Sequence, residues 1–199
     1  MGTITVFENV SLDGVIQDPT ADEGFNSVDW RADLTPADNQ AWARLILDDA
    51  LDADVLLLGR GGYEFFSARY PSRTGKLPDR INGMPKYVVS SSLTDPKWHN
   101  TTVLTGDALT EIAQLTKRID GKIRVYGSAE LVHLLLAHDL VDELRLAVFP
   151  VLMGAGKHVF DQATGRDPVR PRLLRLTEAR TVSENLVHLT HQRATGPES

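Results

Sequence analysis

Val55-Leu56-Leu57-Leu58-Gly59-Arg60-Gly61-Gly62-Tyr63-Glu64 is the stretch whose reading decides the fold. An apolar run ends at small residues and passes straight into a helical pattern, so it reads as strand, turn, helix. Ile123-Arg124-Val125-Tyr126-Gly127-Ser128-Ala129-Glu130 repeats the arrangement. Tyr87-Val88-Val89-Ser90-Ser91-Ser92 is a third strand ending at small residues. A helix start offers unpaired backbone N–H groups and the positive end of a dipole. Small residues there let a phosphate approach the backbone. Several such turns on one edge of a parallel sheet describe a cofactor groove.

The flanking sequence alternates strand and helix. Thr3–Phe7 alternates as strand one, and Ser11 to Asp33 reads as loop. Thr35-Pro36-Ala37-Asp38 is a helix start, with an N-cap, a first-position Pro and an acid in the first turn. A short helix is expected near Asp79–Asn82 and a short strand at Val103-Leu104. Asp107 caps a helix through Ile119, which Gly121 stops. Strands follow at Val141–Val148, Leu173–Val182 and Leu186–His191, the last two joined at Ser183-Glu184-Asn185 as an antiparallel hairpin. The order β-α-β-α-β-α-β-α and then three strands predicts an α/β fold in three layers. Its central sheet is mostly parallel and closed by the C-terminal hairpin. Right-handed crossovers place the three turns on one carboxyl edge. One domain spans 1–192, and a polar tail, 193–199, is expected to be disordered.

Composition narrows the function. The 199 residues are 42% hydrophobic and 24% charged, with net charge −6. This acidity argues against nucleic acid and anionic membranes as partners. No window approaches the roughly 18 apolar residues of a membrane span. The chain has no cysteine, so thiolate chemistry is excluded and a cytoplasmic location is expected. The six histidines lack metal-ligand spacing, and no metal site is expected.

Each motif also has a plain reading. The Gly59–Glu64 turn is a glycine-rich strand-to-helix turn of a common kind. Ser90-Ser91 suits loop solvation or capping, and Ser128 suits an N-cap. The coincidence of three carries the functional reading. Phe25, Trp30, Phe65 and Phe66 offer walls for a flat heteroaromatic substrate or, equally, ordinary packing.

Taken in order, Ser11-Leu12-Asp13-Gly14, Gly59–Glu64, Ser90-Ser91, Val125–Leu131 and Pro150-Val151-Leu152-Met153-Gly154-Ala155-Gly156 resemble the dihydrofolate reductase-like superfamily. More closely they resemble relatives of the reductase domain of the bifunctional riboflavin-biosynthesis deaminase–reductase. The resemblance covers about residues 1–192. It implies a reductase fold that binds NADPH, often as a homodimer. By that resemblance Gly59, Arg60, Gly61 and Gly62 line the pyrophosphate and adenosine-phosphate region. Ser90 and Ser91 approach the 2′-phosphate. Gly127, Ser128, Ala129 and Glu130 form the other half of the pyrophosphate site, and Gly14 and Val15 cover the nicotinamide. The Gly127–Ser128 peptide is expected to be cis.

The sequence departs from the pattern at Gly62, where dihydrofolate reductases carry Thr, and at Ser128, where they carry Gly. The Asp-Asp-Pro of riboflavin reductases does not occur after the second strand. The candidates for proton donor are Asp13, in the nicotinamide loop, and Asp38, in a helix first turn; water is the alternative. The substrate side is assigned to Phe25, Trp30 and Phe66. The function expected is hydride transfer from NADPH to a small flat pterin- or pyrimidine-like heterocycle. The alternative is a noncatalytic nucleotide- or pterin-binding protein on the same fold.

Overall fold

The computed structural model describes residues 1–25, 27–160 and 173–194. Eight strands form a single sheet in the order β4-β3-β2-β5-β1-β6-β8-β7. The strands are β1 Thr3–Val10, β2 Val55–Gly59, β3 Lys86–Val89, β4 Thr101–Leu104, β5 Lys122–Tyr126, β6 Glu143–Val148, β7 Leu174–Thr181 and β8 Val187–Arg193. The helices are α1 Pro36–Leu51, α2 Arg60–Arg69, α3 Lys76–Gly83, α4 Ala108–Arg118 and α5 Ala129–Ala137. Strands β1 to β6 pair parallel, while β8 pairs antiparallel with both β6 and β7. The fold is the expected three-layer one.

Period-two alternation sorts β2 between two cores. Val55 and Leu57 pack with Ile112 and Leu115 of α4 and Leu131, Val132 and Leu135 of α5. Leu56 and Leu58 pack with Leu45 and Ile46 of α1, Tyr63 of α2 and Ile81 of α3. Helices α1–α3 therefore cover one face and α4–α5 the other.

Several boundaries differ from the sequence reading: β4 begins at Thr101 and β6 at Glu143, and three further shifts bear on the site or the tail. Strand β1 runs past Phe7 to Val10, because Glu8 is buried although charged residues usually mark a surface. The helix near Asp79 is longer, Lys76–Gly83. Strand β8 reaches Arg193, whose guanidinium holds the Asp139 carbonyl at 2.7 Å and the Asp142 carboxylate at 3.2 Å. The rest of the expected tail, 195–199, lies outside the described residues.

Candidate active site

Helix α2 leaves the end of β2 toward one face of the sheet, and α5 leaves the end of the adjacent β5 toward the other. Such a switch point opens a crevice at the carboxyl edge. The turns meet there. A Cβ on Gly59 would lie 2.9 Å from the Ser128 Oγ, and one on Gly62 would lie 3.8 Å from the Ser128 N. A side chain at 59 would thus fill the junction. Space around Gly61 and Gly127 is open. Gly127 has φ +59°, and the Gly127–Ser128 peptide is cis, as the resemblance implies.

The helix starts differ in their caps. Thr35 and Asp38 form a reciprocal capping box on α1, and Asp107 caps α4 through the Thr110 N–H. Neither Gly59 nor Ser128 provides a side-chain cap to α2 or α5. The plain reading of Ser128 as a cap is therefore set aside: its hydroxyl lies against Gly59. The N–H groups of both first turns remain for an anion.

Arg60 reaches from the end of β2 to the turn after β3, on the side of β2 away from β5. Its Nε donates to Glu64 at 2.6 Å, and its Nη1 donates to the Ser92 Oγ at 2.9 Å. Ser92, which the sequence reading passed over, is thus the serine that faces Arg60. Ser91 is exposed beside it. Ser90 is buried, and its Oγ accepts from the Ser92 and Leu93 N–H groups, so its hydroxyl shapes the turn. The Glu130 side chain is exposed and pairs with Lys157 at 3.4 Å. Only its backbone belongs to the anion-facing turn.

The loop after β1 is stitched to the segment after β6. The Leu12 N–H meets the Val151 carbonyl at 2.8 Å and the Ile16 N–H the Lys157 carbonyl at 2.9 Å. Gly14 takes φ +87°, and Val15 is buried, its N–H donating to Ser11 Oγ at 2.9 Å. Asp13 fastens the two segments. Its carboxylate accepts from Ser11 Oγ at 2.6 Å and from the Met153 and Gly154 N–H groups at 3.1 and 2.7 Å. These donors, Ser11 first, hold its pKa well below the usual carboxylate range.

Asp38 is buried and just as occupied. It accepts from Thr35 Oγ1 at 2.7 Å and Asn185 Nδ2 at 2.8 Å. Ser183, Asn185 and Thr35 together depress its pKa. A carboxylate held ionised by donors is a poor proton donor near neutral pH. Both acids expected to be catalytic have structural partners instead.

The aromatic candidates separate. Phe66 stacks on Trp98 with ring centroids 6.5 Å apart at 9°, and it lies 6.3 Å from Tyr126. Phe25 is 40% exposed and stands over Gly156, where an added Cβ would meet its ring at 3.0 Å and Val15 at 2.8 Å. Trp30 is buried against Phe149 at 5.9 Å and serves the core.

The sequence reading missed a polar layer under α1. Arg124 is fully buried and pairs with Asp49 at 3.0 Å; Arg145 pairs with the other Asp49 oxygen at 2.7 Å. The Tyr126 hydroxyl donates to Asp49 at 2.7 Å. Burial and then the Asp49 charge push the Tyr126 pKa well up. For Arg145, burial alone would lower the pKa, but the Asp49 charge and hydrogen bond outweigh it. Trp42 Nε1 donates to Asn9 at 2.9 Å and ties α1 to β1. Among the described residues no His, Asp and Glu side chains gather as a metal cluster, and no helix is long and apolar enough to cross a membrane.

This topology, with its two converging helix starts, defines an α/β protein of the dihydrofolate reductase-like fold. The chain belongs to the RibD C-terminal domain family, which matches residues 2–188. It is 28% identical over 145 residues to YyaP, an uncharacterized protein of Bacillus subtilis (strain 168), covering 69% of this chain and 73% of that one. A putative riboflavin biosynthesis protein from Shewanella sp. PV-4 superposes with TM-score 0.73 at 20% identity, covering 97% of this chain and 99% of that one. The deaminase/5-amino-6-(5-phosphoribosylamino)uracil reductase of Thermotoga maritima superposes with TM-score 0.64 at 16% identity, covering 97% of this chain and 57% of that one.

Proposed function

We propose that this protein is an NADPH-dependent reductase acting on a small flat heterocycle of pyrimidine or pterin type. One observation carries the reading. Two helix starts without side-chain caps converge at the β2–β5 switch point, where Gly59 lies against Ser128. Membership of a family named for a RibD domain supports the same reading.

The residues present fit the cofactor. The first-turn N–H groups of α2 and α5 would hold the pyrophosphate, and Gly61 leaves the approach open. Arg60, with Ser91 and Ser92 beside it, would meet the 2′-phosphate. Bound NADPH supplies a hydride from its nicotinamide. The chain's own work is to orient and to exclude water. The Asp13 clamp fixes the Gly14–Val15 loop against 153–154, and Phe25 closes over Val15 and Gly156. Phe66, Trp98 and Tyr126 offer an aromatic wall on the α2 side. With Asp13 and Asp38 held as carboxylates, solvent is the proton source nearest to hand.

The same reading makes the protein a homodimer of the cytoplasm. Strand β7 lies at the open edge of the sheet, with Leu176 54% exposed, and a second copy is the natural cover for such an edge. A chain without cysteine suits a reducing compartment.

The test is a substrate screen that follows the loss of NADPH absorbance with ribosylaminopyrimidines, pterins and flavin precursors. Turnover with one class supports the reductase. Saturable NADPH binding without turnover favours a noncatalytic binder. Absence of NADPH binding ends the reductase reading and leaves only a binder of another ligand, such as a pterin.

A further inference from the structure

We propose that Glu8 is a positioning residue of the dinucleotide site: its carboxyl group, buried beside the Gly127–Ser128 turn, sets how strongly that turn holds a phosphate. This rests on the reading of the turn as a dinucleotide site. The pairing of Phe7 with Tyr126 puts Glu8 level with Gly127, where β5 gives way to α5. The Glu8 side chain is 7% exposed, and its Oε1 is buried without a hydrogen-bond partner. Its side of the sheet is otherwise apolar, with Val6, Val10, Val125 and Leu146 from the strands and Leu131 and Val132 from α5. A carboxyl oxygen buried there without a hydrogen-bond partner costs stability, so the fold carries Glu8 at a penalty.

Its protonation state follows from these surroundings. Burial pushes its pKa up to about 8, and the Gly127 backbone N–H pulls part of the way back. The titratable groups on α5 are Glu130 and His133. Glu130 pairs with Lys157 at 3.4 Å, and the His133 Nε2 meets the His158 carbonyl at 2.7 Å. None of these four is among the causes of the shift. The charged Glu143 and Arg145 of β6 and Arg124 of β5 turn to the other face, toward Asp49 and Asp52.

With its pKa raised to about 8, Glu8 is mainly protonated at pH 7. In that state it leaves the positive field of the α5 start to the ligand. Ionised, it sets a weakly screened negative charge one residue from Ser128, against any phosphate on the turn.

The experiment is a fluorescence titration of the full chain with NADPH from pH 6.5 to 9.5, on the wild type and on Glu8→Gln. Gln keeps the size and the hydrogen-bonding capacity but cannot ionise. The wild type should bind about tenfold more weakly at pH 9 than at pH 7, while Glu8→Gln stays flat. The same slope in both proteins, or no slope in the wild type, overturns the role of Glu8 but leaves the dinucleotide reading standing. No NADPH binding by the wild type at any pH overturns that reading, and the proposal with it. Should Glu8→Gln not fold, calorimetry of the wild type at pH 8 in two buffers of different ionisation enthalpy decides. Binding should take up about half a proton, and zero uptake overturns the proposal.

Discussion

Gly59, Gly61, Gly62 and Gly127 leave the sheet edge between β2 and β5 bare of bulk. Three residues before Gly127, the same strand β5 carries Arg124, fully buried, into the core. The first region offers open space and backbone N–H groups for something to bind. The second is closed on itself, since Arg124, Arg145 and Tyr126 all converge on the two oxygens of Asp49. One region has helix starts without side-chain caps, where the proposed cofactor would sit, and the other pairs its polar groups within the fold. Breaking the second should therefore cost stability, and altering the first should cost affinity.

The largest effect belongs to the closed region. Asp49→Ala leaves Arg124 with Asp52 at 3.2 Å and the residue-49 carbonyl at 3.3 Å, and frees the Tyr126 hydroxyl in the core. Removing one partner of a buried pair typically costs about 3–5 kcal/mol. Urea unfolding at pH 7 should report a loss in that range. A loss below about 1 kcal/mol would mean that the layer is looser than its distances imply.

The two regions also differed in how well the sequence announced them. The glycine turns were legible because strand, turn and helix start are local, within ten residues of one another. The register of the parallel sheet then brought Gly59 to Ser128, as alternation and handedness required. The polar layer was not legible. Asp49 meets Arg145 across 96 positions and Tyr126 across 77, and no local pattern marks such pairs. The donors that occupy Asp13 and Asp38 were hidden for a related reason. An Asp in a loop or a helix first turn looks available in sequence. Its donors, Gly154 for Asp13 and Asn185 for Asp38, come from 141 and 147 residues away. Glu8 shows the converse, because a charged residue that ends an apolar alternation looks exposed, and β1 instead carries it inward.

Glu8 gives the next largest effect, this time on stability against pH. Its folded pKa of about 8 stands above the ordinary 4.5. Between those values the folded chain holds a proton that the unfolded chain has released. The contribution is complete below about pH 4.5 and is lost as pH rises toward 8. From pH 5 to pH 8 the wild type should lose about 3 kcal/mol relative to Glu8→Gln. Urea midpoints of both proteins at the two pH values measure it. Parallel behaviour would place Glu8 in water rather than in the core.

The glycines of the open region should differ in sign from one another. Gly59→Ala drives a methyl to 2.9 Å from the Ser128 Oγ, and overpacking of this kind costs about 1–3 kcal/mol. NADPH affinity should fall with it. The pair Gly59→Ala with Ser128→Gly should recover the stability, since the clash is with the hydroxyl. Gly61→Ala meets open space within a helix and should gain up to about 1 kcal/mol. Equal effects at 59 and 61 would mean that the two turns do not touch.

Arg60 should show the smallest change in stability and a selective change in binding. Its ion pair with Glu64 is half-exposed and spaced i, i+4, which is worth only about 0.3–0.5 kcal/mol. Arg60→Ala should therefore unfold close to the wild type. Its guanidinium still donates to Ser92, and a lost charge-assisted contact to phosphate is worth about 1.5–3 kcal/mol. NADPH should bind at least tenfold more weakly to Arg60→Ala, and NADH about as it binds the wild type. Glu64→Ala should tilt the preference the other way, by releasing the guanidinium from its carboxylate. Paired titrations with both dinucleotides separate the possibilities. If Arg60→Ala weakens NADH and NADPH equally, Arg60 meets the pyrophosphate that both share, and the 2′-phosphate pocket must be sought elsewhere along the edge.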